Sequence, residues 1–123
     1  MGLDIFSDDE KMNYYSGYIT FAHIRGLFAA HYDKSLYREY VLMNPIPLDN
    51  VGDLAIILEH SDCDGKLTSQ ECQKLLPCLL IDEELIKSVA NGDKTDWFIK
   101  KMYEFRDIVQ YCAENSQVEL IFG

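Results

Sequence analysis

Phe98, Met102, Phe105, Val109 and Cys112 recur three and four residues apart over four turns, and this stripe constrains the fold more than any other pattern in the chain. At 3.6 residues per turn the five side chains share one face, so burying them requires a helix laid against other apolar elements. Trp97, Ile99, Tyr103 and Ile108 widen that face. A helix from Asp93 or Thr95 to about Ala113, apolar over so much of its circumference, belongs at the centre of a core with shorter elements around it.

The shorter elements read mainly as helices. Phe21, Ile24, Leu27, Phe28 and Tyr32 mark one face of a helix from Ile19, which Ser16 can cap, and Leu36, Tyr37, Tyr40 and Val41 mark a second. The segment NPIPLDN ends that second helix, because Pro45 and Pro47 lack amide hydrogens and force their predecessors toward extended backbone. Asp49 or Asn50 can cap a helix through Leu58, Thr68 or Ser69 one that carries Glu71 near its third position, and Asp82 to Ala90 forms a further short helix. Tyr14 to Tyr18 reads as an aromatic lead-in, with Tyr14, Tyr15 and Tyr18 either an exposed contact cluster or the edge of the core. The tail SQVELIFG alternates weakly and predicts a short strand.

Composition bounds the setting. With 123 residues, 48% hydrophobic and 12% aromatic, the chain suits one domain over 1–123 with a real core. It contains no run near the roughly 18 apolar residues of a membrane helix, and its acidic start is unlike a secretory signal. Cys63, Cys72, Cys78 and Cys112 show no CxxC spacing, and all but Cys63 fall on inward helical positions, so buried reduced thiols in a cytoplasmic protein are expected. Net charge is −10, and residues 48–93 hold ten acids against Lys66, Lys74 and Lys87. Without clusters of Lys and Arg, direct nucleic-acid binding is disfavoured. A basic protein or a cation is the natural complement, and a solvated face that only keeps the chain soluble is the plainer reading. Oligomeric state is not readable.

One stretch carries chemistry in its spacing, HSDCDGKLTSQE at residues 60–71. Counted from His60, it resembles an EF-hand calcium loop over residues 51–79: Asp62 stands at position 3, Asp64 at 5, Gly65 at 6, the Lys66 carbonyl at 7, Thr68 at 9 and Glu71 at 12. Leu67 at position 8 is the residue that such loops place in a short strand pairing, and with no second loop to receive it Val118 to Phe122 is the expected partner. His60 replaces the first aspartate, Glu59 replaces the usual apolar residue before it, and Pro77 interrupts the outgoing helix. Calcium prefers oxygen, so the imidazole turns the set His60, Asp62, Asp64, Lys66, Thr68 and Glu71 toward a transition metal. A third reading needs no ion: Gly65 makes the turn, Glu71 completes a capping box and His60 closes the incoming helix.

Read with its flanks, LEHSDCDGKLTSQEC resembles a family of small bacterial and phage proteins with an HSDCDG signature, most specifically over residues 58–72. The resemblance implies an intracellular bacterial or phage protein and supplies no activity. Enzyme signatures are missing from the sequence: there is no nucleophile elbow, no glycine-rich phosphate loop and no HExxH, and His23 and His31 lie two helical turns apart on one helix. The expectation is therefore a mainly α single domain with an EF-hand-like helix-loop-helix and a short two-stranded β pairing. Its expected function is that of a non-enzymatic acidic binding protein, an inhibitor of a host nucleic-acid-binding or defence protein. A calcium- or transition-metal-binding module and a metal-dependent hydrolase are the alternatives.

Overall fold

Leu3, Ile5 and Ser7 are fully buried while Gly2, Asp4 and Phe6 between them are not, the period-2 signature of a strand with one face on a core. In the computed structural model, which describes residues 2–123, this strand is β1 (Gly2–Ser7). It pairs antiparallel with β2 (Asn13–Gly17), placing Ile5 opposite Tyr14 and Leu3 opposite Ser16. The turn between them is held by Ser7, whose buried hydroxyl accepts from the Met12 amide at 2.9 Å.

Helices α1 (Tyr18–Ala30) and α2 (Ser35–Val41) follow. They approach closely at Gly26, where a Cβ would meet the Tyr37 ring at 3.1 Å and its carbonyl oxygen at 3.2 Å. Residues 44–47 carry no helix or strand, Pro47 being extended, and lead into two 3-10 turns, Leu48–Asn50 and Gly52–Leu54, and the single turn α3 (Ala55–Leu58). The expected continuous helix from Asp49 or Asn50 is broken because Gly52 adopts a φ of +56°, outside the helical region.

Beyond the loop come β3 (Lys66–Leu67), α4 (Ser69–Leu75), a 3-10 turn at Leu76–Cys78 where Pro77 stops the helix, and α5 (Glu83–Val89). The long helix α6 (Thr95–Glu114) and strand β4 (Leu120–Phe122) complete the order.

The mainly α expectation is corrected here: the chain is a mixed α/β fold with six α-helices and a four-stranded antiparallel sheet among the described residues. The sheet order is β2-β1-β4-β3. The foreseen pairing of the tail with the loop is present, Lys66 opposite Ile121 and Leu67 opposite Leu120, but it forms one edge of a larger sheet. On its other side β4 pairs with β1, Ile5 opposite Phe122 and Ser7 opposite Leu120. A sheet with one wetted face needs apolar residues only at alternate positions, which short strands display weakly.

The inner face of the sheet meets α6 and α1 through aromatic rings. Phe105 lies edge-on to Tyr14 and Phe21 with centroids 5.7 and 5.6 Å apart, and Phe21 reaches Phe122 at 6.5 Å. The expected stripe is buried: Phe98, Met102, Phe105, Val109 and Cys112 all face the core. Tyr14 is buried, Tyr18 half-buried and Tyr15 alone exposed, so the three tyrosines do not form one surface cluster. The expected cap at Ser16 is also absent, since Gly17 is the N-cap of α1 and Ser16 is buried in β2.

Candidate functional site

His60 organises the loop. Its Nδ1 lies 2.7 Å from the Ser61 carbonyl and its Nε2 3.0 Å from the Lys66 carbonyl, and its ring packs on Phe122 with centroids 4.1 Å apart. Carbonyl oxygens only accept, so both contacts are hydrogen bonds when each ring nitrogen carries a proton. Gly65 sits beneath the ring with φ +91°, and a Cβ there would meet the imidazole at 3.3 Å. The Gly65 carbonyl accepts from the Phe122 amide at 2.9 Å, joining the loop to β4.

Glu71 and Thr68 are occupied by the helix they start. Thr68 Oγ1 accepts from the Glu71 amide at 3.2 Å and Glu71 Oε1 accepts from the Thr68 amide at 2.9 Å, a complete capping box. Lys66 turns its carbonyl to His60 and its ammonium to Glu119 at 3.4 Å, a surface pair of little weight. Asp64 is exposed, and Asp62 is half-buried in a pocket wall.

These positions decide the fit of a metal. Among the described residues no three His, Cys, Asp or Glu side chains converge as an ion cage. The Lys66 carbonyl and the Glu71 carboxylate, two oxygens a calcium loop aims at its ion, are engaged by His60 and by the helix start. The six residues His60, Asp62, Asp64, Lys66, Thr68 and Glu71 thus share one loop but not one centre, and as arranged they do not fit an ion.

The loop is pinned to the body by a residue the sequence reading passed over. Arg25 on α1 is only 7% exposed. Its Nη1 donates to the carbonyls of His60 at 2.9 Å and Ile57 at 3.3 Å, and its guanidinium lies over the rings of Phe21 and Tyr40 at 4.5 and 5.4 Å. Its desolvation lowers its pKa, with Tyr40 and Asp62 opposing. The signal was available: Phe21, Arg25 and Phe28 lie three and four apart, so one charge sits on the apolar face of α1.

Arg25 and Asp62 both belong to the wall of a pocket of about 640 Å³ between α1, α2 and the segment 43–48. Ala22, Val41, Ile46, Leu48 and Leu58 supply apolar walls. Ile19 and Met43, 77% and 90% exposed, stand in the same lining. His23, in the same lining, stacks on Phe98 with centroids 4.7 Å apart and approaches the Tyr37 hydroxyl at 2.6 Å. Burial, then Lys94, pushes the His23 imidazole below its ordinary value. His31 is structural: Nε2 accepts from the Asp82 amide at 2.8 Å, which leaves Nδ1 to donate to the Leu27 carbonyl at 2.9 Å.

All four cysteines are free thiols; Cys72 and Cys112 are buried, Cys78 half-buried and Cys63 exposed. No helix among the described residues is long and apolar enough to cross a membrane. Comparison with family models, with curated proteins and with solved structures finds no match to this chain.

Proposed function

We propose that the chain is a cytoplasmic, non-enzymatic binding protein of bacterial or phage origin that engages a basic protein partner, as an inhibitor of a nucleic-acid-binding or defence protein. One observation carries the reading. None of the 21 Asp and Glu residues is buried, whereas two of the 11 cations, Arg25 and Lys101, are withdrawn into the body. Lys101 donates to the Tyr15 carbonyl at 2.8 Å and pairs with Glu104 at 3.0 Å. The surface is therefore more acidic than the net charge of −10 implies. Such a field accelerates encounter with basic surfaces and repels nucleic acid. The bacterial or phage setting draws on the resemblance at residues 58–72.

The test is capture of bacterial proteins on the immobilised chain at about 50 mM salt, followed by elution toward about 300 mM, where screening shortens the reach of surface charge. A basic protein released by salt, and lost when Glu83 and Glu84 or Asp49 and Asp53 are changed to amides, supports the reading. If no basic protein is retained at low salt, the reading fails.

A further inference from the structure

Arg25 leaves three of its five N–H donors unpaired. Nη1 takes both backbone carbonyls, and Nε is buried without a partner. Nη2 makes no hydrogen bond to any described residue. Packing closes off Nε, so Nη2 is the charged donor left for an anion, and a hydrogen bond from an ionised guanidinium to a carboxylate is among the strong ones. Among the described residues no carboxylate forms an ion pair with it: the three salt bridges are those of Lys66, Lys100 and Lys101. A buried guanidinium without a counter-charge is costly, and here it forms part of the wall of an apolar pocket.

From this juxtaposition we infer that the pocket between α1, α2 and residues 43–48 is a binding site for a small amphipathic carboxylate, whose head group meets the unpaired Nη2 of Arg25 and whose apolar body lies along Ala22, Val41, Ile46 and Leu58. The pocket has the size and character of small-molecule sites, mostly apolar with few polar groups converging. Asp62, in the same wall, sets the competition. Its carboxylate repels an incoming anion. The site is separate from the acidic surface assigned to a protein partner and does not depend on that assignment.

Three eight-carbon probes of equal body and different head test the site: octanoate, octanol and octylammonium, titrated into isotopically labelled protein while amide resonances are followed. Octanoate is expected to give saturable shifts at Ala22, Val41 and Leu58 and to bind at least about tenfold more tightly than octanol, as a charge-assisted hydrogen bond requires. Asp62→Asn should tighten octanoate severalfold without changing octanol. Ala22→Phe, which fills the pocket and keeps the Arg25 charge, should abolish binding of all three. Arg25→Gln should erase the preference for octanoate, and if that variant fails to fold, the head-group series and Ala22→Phe still decide. Equal binding of octanoate and octanol, tightest binding of octylammonium, shifts that survive Ala22→Phe, or no saturable shift with any probe would each overturn the assignment.

Discussion

His60 stands where a calcium loop puts its first aspartate, and its side chain does part of what an ion does there: it draws in the Lys66 carbonyl and fixes the loop against β4. The loop accordingly is held by His60 and Gly65 within it and by Phe122 and Arg25 from outside it. Gly65→Ala places a Cβ at φ +91° and against the imidazole, and is expected to destabilise the fold by about 1–3 kcal/mol in urea unfolding. Thr68→Ala removes one arm of the capping box and should lose about 1 kcal/mol. That loss is expected to be the same in chelator and in calcium. A dependence on calcium would show that an ion binds the folded state. His23 supplies a pH signature. Its folded-state value lies below the ordinary 6.5, because burial and then Lys94 disfavour the charged ring. The unfolded chain therefore binds the proton more readily. This contribution is harmless above about pH 6.5 and destabilises as pH falls through the lower folded value. The variant His23→Asn should show a shallower loss of stability between about pH 7 and 5, and an unchanged slope would remove His23 as the source.

At the scale of elements, what was legible depended on length. The stripe of α6 spans enough turns for its period to be unmistakable, and α6 runs Thr95–Glu114, close to the expected bounds. Asp82 caps α5 and Thr68 caps α4 because their side chains satisfy free amides at those helix starts, a local chemistry that the sequence displays. Strands β1 and β2 were missed because six and five residues alternate too briefly to stand out, and because Asp8, Asp9 and Glu10 made the start look merely acidic. The candidate loop was visible in its spacing. The withdrawal of its oxygens was not, since that depends on Phe122 and Arg25 arriving from distant parts of the chain. β4 lies between β1 and β3, so its three residues hold two strands at once. Removal of residues 119–123 should abolish the cooperative fold, seen as collapse of amide dispersion. A dispersed spectrum from the truncated chain would show that β4 is dispensable.

Across the whole molecule, burial divides the charges unequally. All of the acids remain at least partly accessible while Arg25 and Lys101 are drawn inward by backbone carbonyls, so the folded chain concentrates negative charge on its surface. Self-repulsion of that kind is screened by salt. The melting temperature should rise as sodium chloride goes from about 50 to 500 mM, and a flat response would show that the carboxylates are too dispersed to repel appreciably. Amino-acid order alone determined the central helix, the proline break, the caps of α4 and α5, the glycine turn and the acidic balance, because each is set by a period, a ring or a side chain acting on nearby backbone. Tertiary structure decided the rest. Sheet membership requires partners far apart in sequence, and so does the choice of which cation is buried. The fit of Asp62, Glu71 and His60 to an ion likewise turns on where packing sends each side chain.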